Sequence, residues 1–258
     1  MIKEKVQAYL SELEEKNDIQ ILYACESGSR AWGFPSPDSD FDIRFLYVHH
    51  PDWYLSINDK QDNLQLMLED GDIDMSGWEL RKALRLLKRS NMALMEWIHS
   101  PVVYQYDPCF LDDIQKASIR FYSRITAIHH YLSMSRKIAA ELFESESFKL
   151  KRFLYALRAA TLCRWIVERG DLPPVEFKGA YQNLGLTDEI ISPIDKLISL
   201  KATKSESYFH SGERSLIDFI SDCIDIADHS AKALPSSKGD VEVLDKTLRK
   251  YIRLYDHR

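Results

Sequence analysis

Residues 41–48, FDIRFLYV, constrain this chain more than any other stretch. They are rich in aromatic and β-branched side chains, the composition of a strand packed on a pleated surface. Two aspartates one residue apart, Asp40 and Asp42, stand at the head of that strand. Residues i and i+2 of a strand point to the same face. Asp40, Asp42 and Arg44 therefore share one face, and Phe41, Ile43 and Phe45 take the other. Adjacent carboxylates repel, so a proton, a basic partner or a divalent metal must offset the cost. Mg²⁺ is held by one or two carboxylates and shared with substrate phosphates. A two-metal site, with ions about 3.5–4 Å apart, usually needs one carboxylate more.

A third carboxylate is available in GDIDMSG, residues 71–77. Asp74 lies mid-strand there, with Asp72 on its face and Ile73 and Met75 opposite. Beside strand 41–48, Asp74 completes the cluster. Asp72 is the alternative, but it adjoins a turn, where a carboxylate is usually solvated. Upstream, the apolar run 19–24, IQILYA, reads as a buried strand that leads to Gly28 and Ser29. Glycine lets the backbone approach a ligand closely, and N–H groups at the head of a helix attract anions. Ser29 adds a hydroxyl donor. A phosphate cradle, a loop and metal-binding carboxylates together can hold a nucleoside triphosphate by its tail and its metals.

The remaining pattern sets the architecture. Residues 3–16 form an amphipathic helix with Val6, Leu10 and Leu13 on one stripe. Residues 64–68 and 72–76 read as antiparallel strands joined by a turn containing Asp70 and Gly71. A helix over 78–90 follows, with Leu80, Leu84 and Leu87 at helical spacing. After Pro108 no strand is expected, and helices run over 110–145, 148–169, 187–200, 215–233 and 240–256. The reading is α+β: strands and helices around a small sheet over 1–108, then an all-helical half over 109–258. The four cysteines are scattered without a C-x-x-C pair and read as free thiols in a reducing cytoplasm. No apolar run approaches the roughly 20 residues needed to span a bilayer, and the charged N-terminus is no signal peptide. A net charge of −6 excludes a chain coated with nucleic-acid-binding charge but leaves a local basic face open.

The combination of Gly28-Ser29, a short spacer and Asp40-Phe41-Asp42 resembles the nucleotidyltransferase superfamily related to DNA polymerase β. The fuller wording, GSRAWGFPSPDSDFDIRFLYV followed by DIDMSGWELRKALRLLKRSNMALMEWIHSPVVY, resembles the RlaP-type family of bacterial and phage nucleotidyltransferases, which is linked by inference to RNA repair. The resemblance is specific over residues 20–106 and thins to 149–166. It implies a mixed sheet carrying three carboxylates and two Mg²⁺ ions (or Mn²⁺). It also implies transfer of NMP from an NTP to an acceptor hydroxyl with release of pyrophosphate. Gly28 and Ser29 would hold the triphosphate. Asp40 and Asp42 would ligate both metals, and Asp74 would ligate the catalytic metal and help activate the hydroxyl. RNA is the acceptor that the family favours. A protein side chain or a small molecule is the alternative acceptor, and a non-catalytic nucleotide-binding module is the rival from another class.

Other residues are candidates for nucleotide contact. Arg30 follows the Gly-Ser pair and is placed either on phosphate or at an exposed helix start. Trp32 and Phe34 are better suited to packing under the loop than to stacking on a base. In KLKRFLYALRAATLCRWI, residues 149–166, Lys151, Tyr155 and Arg158 share one side of a helix. Arg158 has no acidic residue within four positions, so its charge must be satisfied from outside its helix. One outcome is a distant ion pair or a guanidinium that snorkels to water; the other places Lys151 and Arg158 on the β- and γ-phosphates with Tyr155 near the sugar or base.

Overall fold

A computed structural model describes residues 2–68, 71–143, 147–234 and 239–255. In chain order they form α1 (Ile2–Asn17), β1 (Ile19–Glu26), α2 (Gly28–Ala31), β2 (Phe41–His49), α3 (Pro51–Tyr54), β3 (Asn63–Leu68) and β4 (Ile73–Glu79). Next come α4 (Leu80–Lys88), α5 (Met92–Ile98), β5 (Val103–Tyr106), α6 (Pro108–Phe121), α7 (Arg124–Phe143), β6 (Ser147–Lys149) and α8 (Leu150–Glu168). Then follow α9 (Phe177–Gln182), α10 (Asp188–Lys201), β7 (Phe209–Ser211), α11 (Arg214–Ala231) and α12 (Val241–Tyr255). The chain divides into two compact units. Unit one is Met1–Gly28, Asp40–Phe121 and Lys238–Arg258; unit two is Ser29–Ser39 and Tyr122–Ser237.

Unit one is built on a five-stranded sheet of order β3-β4-β2-β1-β5. β2 and β4 run parallel, while β1 pairs antiparallel with β2 and β5, and β3 antiparallel with β4. The alternation expected for β2 holds: Ile43, Phe45 and Tyr47 enter one core with Ile73 and Met75 of β4 and Val6, Leu10 and Leu13 of α1. Each such side chain contributes roughly 1.5–3 kcal/mol when fully buried. Leu46 and Val48, of the opposite phase, are buried too, and α4 and α12 pack on β2. In β4, Gly77 sits opposite Phe45 in register. A Cβ at Gly77 would lie 2.1 Å from a Phe45 ring carbon, so that ring uses the space a side chain would fill.

Several boundaries differ from the sequence expectation. The helix expected over 78–90 begins at Leu80, because Trp78 and Glu79 finish β4. The Glu79 carboxylate then caps α4, accepting from the N–H of Arg81 at 2.8 Å and of Lys82 at 3.2 Å. The single helix expected over 110–145 is two, broken after Phe121, where the Ser123 hydroxyl accepts from Thr126 N–H at 3.5 Å; residues 144 and 145 lie outside the described residues. The C-terminal half is largely rather than wholly helical, since β6 and β7 pair antiparallel. Those strands have three residues each, too few to carry a periodicity. β5 escaped the sequence reading for the same reason. Of the turn expected between β3 and β4, Gly71 is described, at φ +108, and Asp70 lies outside the described residues.

In unit two, α7, α8 and α11 pack on one another. α8 is buried on nearly every side, as a central helix must be. The Ser29–Ser39 segment belongs to this unit. Phe34, 1% exposed, packs its ring against Trp32, Tyr155 and Phe177, with centroids 5.9, 6.1 and 5.9 Å away. The N–H of Phe177 donates to the Trp32 carbonyl at 3.0 Å.

Candidate functional site

The head of β2 is pinned on both sides. Phe41 N–H donates to the carbonyl of Asp72, and Ser27 N–H to that of Asp42, both at 2.8 Å. The N–H of Asp42 donates to Glu26 Oε1 at 2.7 Å. Glu26 is 1% exposed, and its other oxygen accepts from the Tyr104 hydroxyl. A buried carboxylate thus fixes the backbone that carries Asp42.

The parallel pairing of β2 with β4 puts Asp42 directly opposite Asp74. Arg44 bridges them: its Nη2 donates to Asp42 Oδ1 and to Asp74 Oδ2, each at 2.8 Å. Nη1 donates at 3.1 Å to the carbonyls of Ile43 and Asp74, which fixes the guanidinium plane. These three side chains are 32%, 21% and 16% exposed for Asp42, Asp74 and Arg44. Of the three ways to relieve carboxylate repulsion, the fold uses the basic partner. Asp74 Oδ1 nevertheless remains buried without a hydrogen-bond partner. Asp72 lies exposed ahead of β4, so Asp74 is the carboxylate brought to Asp42. Asp40 is exposed and just precedes β2.

Gly28 adopts φ +61, and a Cβ there would meet Asp42 Oδ2 at 2.2 Å. The glycine is required both by its left-handed backbone and by the carboxylate against it. The donor chemistry can be set against that of a divalent cation. Asp42 and Asp74 offer hard oxygen donors, one of them an orphaned oxygen, which suits Mg²⁺ or Mn²⁺. Among the described residues no three His, Cys, Asp or Glu side chains converge to hold a metal. What the fold brings together is the carboxylate pair Asp42 and Asp74, tied by Arg44.

The other expected residues lie in unit two. Ser29 is buried, and its hydroxyl donates to Ser39 Oγ at 3.3 Å. Arg30 Nη2 donates to the Ser39 carbonyl at 2.6 Å. The common side of α8 expected for Lys151, Tyr155 and Arg158 exists, and it faces the Ser29–Ser39 segment. Lys151 Nζ reaches Glu206 Oε2 at 2.5 Å. Tyr155 meets Trp32 edge-on at 4.9 Å. Arg158 is 2% exposed; its Nη2 donates to the Val175 carbonyl at 3.0 Å, and its guanidinium lies 4.2 Å from the Trp32 ring centre. Its guanidinium thus meets a carbonyl and an aromatic face remote in the chain. Sequence reasoning missed the roles of Glu26, Lys201 and Glu206. Glu26 carried a signal, a charged residue closing an apolar run immediately before Ser27 and Gly28.

A mixed sheet whose neighbouring strands present paired aspartates behind a glycine is the arrangement of a DNA polymerase β-type domain. The chain belongs to the RlaP family, the RNA repair pathway DNA polymerase beta family, whose profile matches residues 2–250. It is 34% identical over 240 residues to the uncharacterized protein YcgL of Bacillus subtilis (strain 168), spanning 93% of this chain and 92% of that one. A nucleotidyltransferase-like protein from Exiguobacterium sibiricum 255-15, known from a crystal structure, matches with 13% identity and a TM-score of 0.33 over 98% of this chain and 80% of the other. No helix among the described residues is long and apolar enough to cross a membrane.

Proposed function

We propose that the protein is a metal-dependent nucleotidyltransferase that moves NMP from an NTP to a hydroxyl of RNA and releases pyrophosphate. The observation that carries this reading is the in-register pair Asp42 and Asp74, with a buried, unpartnered Asp74 oxygen and a glycine pressed against Asp42. The family's RNA repair description supports RNA as acceptor.

Asp42 and Asp74, with Asp40 at the mouth of β2, would hold Mg²⁺ or Mn²⁺; when bound, the metal supplies positive charge to the phosphate and hydroxyl oxygens. The chain's own groups do the positioning. Gly28 keeps backbone close to the phosphates, and Ser29 offers a hydroxyl. Asp74 would ligate the catalytic metal and help activate the attacking hydroxyl. Glu26 and Tyr104 hold the Asp42 backbone in place, so that little reorganisation is needed at reaction.

The test is incubation with α-labelled NTPs, Mg²⁺ or Mn²⁺ and total RNA, with Asp42→Asn as control. That variant is nearly isosteric and should keep the fold while transfer falls by orders of magnitude. Label on RNA that is lost in the variant is the expected result. Label on protein or on a small molecule would reassign the acceptor. Transfer by the variant at the wild-type rate would remove the carboxylate site from the reading.

A further inference from the structure

Lys201, the last residue of α10, is 1% exposed, and its ammonium has no hydrogen-bond partner. It lies 5.7 Å from the centre of the Phe34 ring. Lysine is almost never fully buried unless paired, and an unanswered buried ammonium is costly. The Ser36 hydroxyl in the same unit is likewise buried without a partner. Within electrostatic reach of Lys201 stand Lys151 and Arg30, with Glu206 and Asp38 as the acidic groups. Desolvation outweighs those acids and lowers the Lys201 pKa to about 8.

One carboxylate enters the cluster. Glu206, on the loop after α10, accepts from Ser39 Oγ at 2.9 Å through Oε1 and from Lys151 Nζ at 2.5 Å through Oε2. Its N–H donates to Asp38 Oδ1 at 3.0 Å and Oδ2 at 3.1 Å, which latches the loop. Ser39 is positioned in turn, since its Oγ also accepts from Ser36 N–H at 2.9 Å and from the Ser29 hydroxyl. A carboxylate between a serine hydroxyl and a lysine makes the contacts that phosphoryl oxygens make. Having only two oxygens, both engaged, Glu206 leaves the Lys201 ammonium unanswered. A phosphoryl group brings at least one oxygen more and a larger charge.

We propose that Lys151, Lys201 and Ser39 form a seat for a phosphoryl anion, and that Glu206 is its resident occupant, displaced when the anion binds. The seat is built wholly from unit two. Only the source of its ligand rests on the nucleotidyltransferase reading: the tail of an NTP and released pyrophosphate share the required chemistry.

The experiment is calorimetric titration of the full chain in EDTA with tripolyphosphate, pyrophosphate, an NMP and sulfate. Removing the occupant's charge in Glu206→Gln should tighten tripolyphosphate binding at least tenfold, and Lys201→Met should weaken it at least tenfold. Lys201→Met should melt no lower than wild type, because it removes an unpaired charge; if it fails to fold, the half-exposed Lys151→Met replaces it with the same expectation. Tripolyphosphate above pyrophosphate points to the NTP tail, the reverse order to the product, and either supports the seat. Unchanged or weaker binding by Glu206→Gln, or wild-type affinity in Lys201→Met, overturns it, as does equal binding of sulfate. Because no metal and no transfer are involved, the two readings fail separately. Anion binding without RNA labelling keeps the seat and removes the enzyme reading; labelling with a silent Glu206→Gln does the reverse.

Discussion

Replacing Arg44 by methionine keeps the length and apolar stem of the side chain and deletes its charge. Two charge-assisted hydrogen bonds of 2.8 Å to Asp42 and Asp74 are lost. Each is worth about 1.5–3 kcal/mol where buried, and breaking a fully buried pair costs roughly 3–5 kcal/mol. The aspartates are 32% and 21% exposed, so solvent screens part of this. A loss of about 2–3 kcal/mol at pH 7 is expected. Two facing carboxylates without a cation repel each other. A divalent cation should offset that repulsion. At a concentration 100-fold above its dissociation constant it stabilises by about 2.7 kcal/mol, and the variant, freed of its resident competitor, should bind Mn²⁺ about tenfold more tightly than wild type. Urea unfolding at pH 7, with and without Mn²⁺, and direct Mn²⁺ titration read both effects. A variant as stable as wild type at pH 7, or equal Mn²⁺ affinity in both proteins, would refute the reasoning.

Gly77→Ala should lower stability by roughly 1–3 kcal/mol, since its Cβ would meet the fully buried Phe45 ring. The urea midpoint reads this, and an unchanged midpoint would show that the ring can move aside. Burial lowers the pKa of His49, which stacks on Trp53 at 4.3 Å, from 6.5 to about 4. Between those values the unfolded chain binds the proton and the folded one does not, so stability should fall as pH drops from 6.5 to 4. His49→Phe should flatten that slope; an identical slope would place the acid sensitivity elsewhere.

Much of unit one was legible because its strands obey simple alternation. The face shared by Asp42 and Arg44 followed from a period of two, and the helix stripe of Val6, Leu10 and Leu13 from a period near 3.6. The bridging role of Arg44 was not legible, because it depends on the register of Asp42 against Asp74, which parallel pairing across the fold decides. Arg158 was flagged by what its helix lacks; the carbonyl and ring that it meets come from Val175 and Trp32, remote in the chain. Lys201 gave no signal at all. A basic residue at the end of an amphipathic helix ordinarily faces water and complements the helix dipole, and only tertiary packing buries this one.

The interleaving of the two units has a consequence for biosynthesis. Unit two contains nothing beyond Ser237, whereas unit one needs α12. Tyr251 of α12 is 1% exposed, donates to Asp113 at 2.8 Å and meets the Phe110 ring at 5.0 Å. Translation proceeds at about 5–20 residues per second and domains tend to fold as their sequence emerges. The sheet that is made first must therefore wait, with Phe110 and Asp113 lacking their α12 partner, until α12 leaves the ribosome. The half made later can finish before it, so the order of maturation runs opposite to the order of synthesis.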